Sequence, residues 1–346
     1  MQNQILQSGP LLDDNGNLNQ TGWSPQPILD ANLEQAAFYG RILRPFQRFR
    51  LKRWDYYAIF YPGGFFSATI ADLGYAGNIF VYTLDFETKT MHEEGLVVPL
   101  AKGISLPRSS ERGQAVYRGK GVELIFRNQP ERQEISLDWP RFHERRGIQA
   151  EIYFECPAGQ QSMNIVIPME KKRFYFNRKI NCLPADGWIR YGRKTTELAA
   201  GEAIGSLDWG RGAWPYHSFW NWASASGYLP DGGSFGLNLG RGFGDQSAAT
   251  ENCLVLNGQV HKLDQVSFGY NPKEFMQSWH FSDNQGRLDL EFTPFLERVA
   301  RTNLGIIFSK VHQLFGLYSG TVQTDEGEQL SIRDLIGFAE EHRARW

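Results

Sequence analysis

Cysteine is scarce. The 346 residues hold three, Cys156, Cys182 and Cys253, an odd and widely spaced set with no C-x-x-C pair, which excludes both a disulfide framework and a zinc ribbon and leaves core or incidental thiols. An excess of one charge is missing too. With 36 Lys and Arg against 38 Asp and Glu the formal charge is −2, which excludes a generally basic nucleic-acid binder. No apolar run approaches the ~18 residues that span a bilayer. The N-terminus, MQNQILQSGPLLDDNGNLNQ, is polar and acidic where a signal peptide needs a basic start and an apolar stretch. A cytoplasmic protein with no stable membrane insertion is expected. There is no H-x-H or H-E-x-x-H pair, no G-x-S-x-G elbow and no Walker A loop, so neither a metal nor another cofactor is expected. Gly240-Arg241-Gly242-Phe243-Gly244 departs from G-x-G-x-x-G, so the nucleotide reading is weak as well.

What is present is aromatic side chains and glycine: 24 Phe, 14 Tyr, 10 Trp and 36 Gly, a mixture that suits pleated sheets and tight turns. From Trp54 onward the apolar positions recur every second residue, the period of a strand. Phe80, Tyr82, Leu84 and Phe86 share one face of Asn78–Phe86; Val122, Leu124 and Phe126 share one in Gly121–Asn128. Ala150, Ile152 and Phe154 do so in Gln149–Glu155, as do Leu288, Leu290 and Phe292 in Arg287–Phe292. Each reads as a strand buried on one face. Such runs, punctuated by Gly, Asn, Asp and Pro, recur to about residue 323 with no long amphipathic helix between them. The class is all-β and antiparallel, and a chain this long closes or stacks its sheets to hide their edges. Two antiparallel β-barrels in tandem are expected: a turn-rich N-terminal arm over 1–35, one barrel over 36–190 and a second over 191–346, divided near the turn cluster Leu183–Gly187 or in the following strand to Leu198.

One segment is biased beyond the rest. Ten glycines lie between Gly205 and Gly244, and Trp209, Trp214, Trp220 and Trp222 fall within 14 residues. Aromatic walls with a few convergent polar groups are what small-molecule pockets are made of, and glycine lets backbone come close to a ligand; the same residues also bend strands and plug barrel ends. Asp208 is a candidate acid or base, its carboxyl pKa raised by an apolar wall, or else one half of a buried ion pair with Arg211 that pins a turn. Trp220 and Trp222, two apart, share a face that is either core or a stacking wall. His217 is a third candidate for the chemistry. Trp209, Trp214, Tyr216, Trp220, Trp222, Asp245, Glu251 and Asn252 are candidates for contacting a substrate.

Arg41, Arg44, Arg48, Arg50, Lys52 and Arg53 form a basic run interleaved with Phe46 and Phe49. Alone it would suggest a nucleic-acid or anionic-surface patch. The balanced charge elsewhere favours a strand or arm whose cations pair with carboxylates on the body.

Trp54-Asp55-Tyr56-Tyr57, Ala71-Asp72-Leu73-Gly74-Tyr75-Ala76-Gly77, Asp208-Trp209-Gly210-Arg211-Gly212 with Trp214-Pro215-Tyr216, and Gly337-Phe338-Ala339-Glu340-Glu341-His342 together resemble the bacterial domain-of-unknown-function family 2804. That family is similar to AttH-like proteins and carotenoid 1,2-hydratases, so the resemblance implies two lipocalin-like barrels and a pocket lined by the acid of the Asp208-Trp209-Gly210 stretch. This chain lacks the histidine that relatives place beside that acid. The resemblance and the aromatic cluster lead to one expectation: a cofactor-independent enzyme that hydrates, isomerises or cyclises a small apolar, lipid- or isoprenoid-like molecule by acid/base chemistry. The alternatives are a non-catalytic lipocalin-like carrier of a hydrophobic ligand and, behind it, a glycosidase using two of Asp208, Asp245 and Glu251.

Overall fold

The computed structural model describes residues 2–28 and 30–346. The strand alternations of the sequence become ladders in two curled antiparallel sheets. From edge to edge the first runs through Thr90–Pro99, Ala76–Asp85, Gly64–Asp72, Lys52–Tyr61, Lys194–Ala213, Arg173–Tyr191, Ile148–Glu155, Arg132–Trp139, Val122–Asn128, Gly113–Gly119 and Ile104–Ser105, with Met163–Met169 adjoining the Arg173–Tyr191 strand and Gly22–Ser24 adjoining Met163–Met169. The second runs through Gln259–Lys262, Cys253–Leu256, Ser234–Arg241, His217–Tyr228, Gln329–Arg345, Phe308–Gln323, Leu288–Asn303, Trp279–Asp283 and Val266–Gly269. No helix among the described residues is long and apolar enough to cross a membrane.

The two sheets divide between Ala213 and His217, not after residue 190, because Lys194–Ala213 pairs with Lys52–Tyr61 on one side and Arg173–Tyr191 on the other. The turn at Leu183–Gly187 is a pair of bulges inside a strand; the register slips between Ile180 and Leu183 and again between Ala185 and Gly187. Bulges bend a strand without ending it, and turn-forming residues therefore mimicked a boundary.

Each curled sheet wraps its own core. Tyr57, Ile59, Val81, Phe126, Ile152, Phe154 and Trp209 lie inside the first, and Leu237, Trp279, Leu290, Phe292, Leu314 and Tyr318 inside the second. The N-terminal arm belongs to the first core through Ile5, Leu11, Leu12 and Leu33. Within the arm, buried Asn32 exchanges two 2.8 Å hydrogen bonds with the Leu12 backbone.

A third apolar layer lies where the outer faces of the sheets meet. Phe65 stacks edge-on against Phe315 at 4.8 Å and Tyr56 against Trp222 at 5.8 Å. The central strands are thus buried on both faces, which corrects the one-face reading of Asn78–Phe86: Ile79 and Val81 enter the first core while Tyr82 and Leu84 enter the layer between the sheets.

The constraint that sets this arrangement sits at the middle strand. Asp55 and Arg211 are essentially inaccessible and pair at 2.8 Å. The guanidinium also donates to the Trp54 and Pro107 carbonyls at 2.8 and 3.0 Å and stacks 3.7 Å from the Trp209 ring. Burial drives both partners toward neutrality, raising the Asp55 carboxyl and lowering Arg211 to about 10, and the pair survives because each supplies the other's countercharge. Removing one partner of such a pair costs ~3–5 kcal/mol. Arg211→Met is therefore expected to lower denaturant-measured stability by about that amount, and adding Asp55→Leu to recover much of the loss.

Candidate functional site

Period-two alternation decides what each strand shows to the gap between the sheets. On Lys52–Tyr61 it is Trp54 and Tyr56, on Arg173–Tyr191 Tyr175 and Lys179, on Lys194–Ala213 Asp208; across the gap it is Trp220 and Trp222 on His217–Tyr228 and Glu340 and His342 on Gln329–Arg345. Together they enclose a cavity of about 550 Å³, the size of a small-ligand site.

Lys179 is the hub of one wall. Its ammonium lies 2.9 Å from Asp208 Oδ2, 3.6 Å from Glu251 Oε2 and 3.9 Å above the Trp222 ring. Burial pulls its pKa down, but the two carboxylates more than offset that and leave it raised. Three donors converge on Asp208: Lys179, Asn177 Nδ2 at 2.6 Å and Trp54 Nε1 at 3.1 Å. Two glycines make room for this. A Cβ on Gly210 would strike the Trp54 ring at 2.2 Å, and one on Gly240 would strike Glu251 Oε1 at 2.1 Å. Only hydrogen at these positions lets the indole and the carboxylate lie flat across their neighbouring strands.

The opposite wall holds a carboxyl that burial shifts toward neutrality. Glu340 is buried, and that burial raises its carboxyl to about 7 although Arg298 and Lys179 both favour the charged form. Its Oε1 accepts a 3.1 Å bond from Trp220 Nε1. Two residues on, His342 shares Ser309 Oγ at 2.8 Å and packs 4.0 Å from the Trp220 ring; burial pushes it down to about 3, so it is neutral at physiological pH. Arg298 is clamped by both oxygens of Glu93 at 2.6 and 3.0 Å and lies 4.4 Å from the Tyr82 ring. A chain of hydrogen bonds links Tyr56, Tyr82 and Gln313 at 3.0 Å each.

Asp208, Glu251, Trp214, Trp220 and Trp222 thus share the cavity, with Asp208 and Glu251 bridged through one lysine. Trp209 and Arg211 do not join them. They occupy the other face of their strand, in the first core, because odd and even positions point to opposite sides. Arg211 pairs with Asp55, not with Asp208. Asn252 is buried as a brace, accepting from Gly240 N at 2.7 Å and donating to Asp264 O at 2.8 Å. His217 and Asp245 line a separate pocket of about 480 Å³, divided from the cavity by Phe243; Asp245 is exposed and caps the Ser247 N–H at 3.0 Å. Tyr216 is on the surface, bonded to the Ile306 carbonyl. Sequence reasoning quoted Glu340 and His342 only as part of a motif and missed Lys179 entirely. The signal for the first two was there: Phe338, Glu340 and His342 alternate on one strand face, an acid and a histidine in an apolar row. Lys179 carries none, since its role depends on the register of its hairpin and on Glu251 and Trp222 beyond that hairpin.

The sequence profile of the domain of unknown function DUF2804 matches residues 2–346, so the chain belongs to that family. No curated protein matches it in sequence. Among solved structures it is similar to CghA, at 11% identity and a TM-score of 0.54 over 85% of this chain and 88% of that one. It is likewise similar to a putative AttH from Nitrosomonas europaea, at 11% identity and 0.53 over 84% and 92%. Both likenesses concern the fold: an all-β, lipocalin-like pair of curled sheets.

The elevated Glu340 carboxyl has a thermodynamic consequence. A buried acid whose pKa rises from the ordinary 4.5 to about 7 holds its proton in the folded state where the unfolded chain has released it. Its contribution is present below pH 4.5 and is lost as pH rises through about 7, by ~3 kcal/mol at most. Glu340→Gln is therefore expected to flatten the fall in stability between pH 5 and 8, read by urea denaturation at each pH.

Proposed function

We propose that this member of the DUF2804 family is an enzyme that binds a small, largely apolar molecule between its two sheets and acts on it by proton transfer, in a hydration, isomerisation or cyclisation, with Glu340 as the acid/base. The observation that carries the reading is a buried carboxyl poised near neutrality in the wall of an aromatic cavity. A catalytic acid works best with its pKa near the operating pH, and positioned proton transfer contributes ~10²–10⁴ in rate. Delivery of the proton to an alkene or carbonyl would leave a cation beside Trp220, Trp222 and Trp54, whose faces each stabilise positive charge by ~0.5–2 kcal/mol. The Lys179 cluster then supplies a fixed dipole for one polar end of the substrate, while Asp208 serves as its counter-ion and not as the proton donor.

The fold likeness supports a small-molecule site: CghA has been solved with Sch210972. Three free thiols, two of them buried, suit a reducing compartment and so a cytoplasmic enzyme.

The test is to extract the purified protein with organic solvent and compare, by mass spectrometry, what the wild type and Glu340→Gln carry. A stoichiometric apolar molecule whose identity changes with the variant supports catalysis at Glu340. The same molecule in both overturns it in favour of a carrier. Once a substrate is known, Glu340→Gln is expected to lower kcat at least ~10²-fold, and Trp222→Ala to act mainly on KM.

A further inference from the structure

The basic run at Arg41–Arg53 is not neutralised as its composition suggests. Among the described residues Arg53 alone of the six has a carboxylate partner, Asp72 at 3.9 Å. Arg48 covers the Phe49 ring, Arg50 donates to the Trp214 carbonyl at 3.4 Å and Lys52 to the Leu73 carbonyl at 2.6 Å. Arg41, Arg44 and Arg48 are exposed. Where a strand or arm was expected, the run passes from a turn into a short 3-10 helix, Arg44–Arg50, and only Lys52 and Arg53 enter the strand Lys52–Tyr61. It raises apolar side chains into solvent: Ile42 is 88% exposed, Leu43 57% and Phe46 58%.

Two other apolar tips sit at the same end of the molecule. Leu100 is 67% exposed, and its N–H bonds the Tyr75 carbonyl, next to Gly74, which lies against the Arg48 and Phe49 backbone. Leu304 and Ile306, 68% and 77% exposed, cap the hairpin between Leu288–Asn303 and Phe308–Gln323. Ile306 is tied through Tyr216 to Trp346. Leu73, Val97, Trp214, Thr302 and Trp346 all line the cavity, so the three tips stand around its mouth. The hairpin end is cationic as well. Arg301 faces Lys310 across one ladder and Lys310 faces Arg343 across the next, although like charges directly opposite one another destabilise a sheet. Arg343 is paired with Glu341 at 2.6 Å, whereas Arg301 and Lys310 have no carboxylate partner among the described residues; with the exposed Arg41, Arg44 and Arg48 beside apolar tips, they suit an anionic, apolar counter-surface.

We propose that the mouth of the cavity docks on an anionic lipid membrane: Ile42, Phe46, Leu100, Leu304 and Ile306 dip into the headgroup boundary while the surrounding arginines and lysines hold lipid phosphates. Exposed apolar patches rimmed by polar residues mark contact surfaces, and peripheral binding strength grows with apolar area plus basic charge. The arrangement brings the cavity opening to the lipid, where an apolar substrate of the kind proposed above partitions. That link rests on the reading of the cavity; the docking itself does not.

The experiment is vesicle flotation of the full chain, with vesicles of phosphatidylcholine alone or with roughly a third phosphatidylglycerol. The expected result is flotation on the anionic vesicles only, stripped by 0.5 M salt because screening removes the phosphate contacts. Phe46→Asp with Ile306→Asp abolishes it. Arg44→Glu and Arg48→Glu each weaken it about fivefold, and Leu6→Asp, exposed on the N-terminal arm, leaves it unchanged. Thermal melts confirm that these surface variants fold. Equal flotation on both vesicle types, none on either, or indifference to the four mouth substitutions overturns the proposal. So does a self-association in analytical ultracentrifugation that Ile306→Asp dissolves, since the tips would then be covered by a second copy. None of these readouts depends on Glu340 or on turnover, so docking and catalysis fail separately.

Discussion

The strand Lys194–Ala213 is charged on both faces, and that constraint organises the molecule. On one side Arg211 meets Asp55 inside the first core; on the other Asp208 meets Lys179 in the gap between the sheets. A slip of one residue in register would drive Arg211 into the gap and Asp208 into the core, leaving buried charges without partners. Two ion pairs of opposite orientation, three residues apart on one strand, lock the register of the sheet's centre. They do so at the place where that sheet presents its outer face to the second one.

The cavity follows from that geometry. Two curled sheets each spend their inner faces on their own cores, and their outer faces meet through aromatic side chains too large to interlock without a gap. The gap is polar only where buried side chains compensate one another. Lys179 joins Asp208 and Glu251, and Arg298 joins Glu93. Glu340 is the exception. Among the described residues its carboxyl accepts from an indole N–H and has no ion-pair partner. In a pocket otherwise balanced internally, Glu340 is thus a carboxyl that burial raises to about 7.

Charge is balanced over the whole chain and unbalanced locally. Several ion pairs lie along the ladders, among them Arg118 with Glu123 and Lys179 with Asp208, while Arg41, Arg44 and Arg48 are exposed beside apolar tips.

Alternating residues such as Val122, Leu124 and Phe126, together with the glycine and turn chemistry, determined the all-β class and the local strands from sequence alone. The motifs around Asp208-Trp209-Gly210 determined the family. Period two also dictated that Asp208 and Arg211 face opposite sides, although adjacency in sequence suggested a pair. Tertiary structure decided the rest. Asp55 reaches Arg211 only because strands far apart in sequence are neighbours in the sheet, and Lys179 faces Asp208 only because the bulges set the register of two consecutive strands; the Glu340 carboxyl moved toward neutrality only when the first sheet closed over it and removed its water. The bulges that let Arg173–Tyr191 run on through Leu183–Gly187 are likewise invisible in composition, since a turn and a bulge use the same residues. Local pattern encodes which face a side chain takes, whereas burial and partnership depend on what the opposite face belongs to.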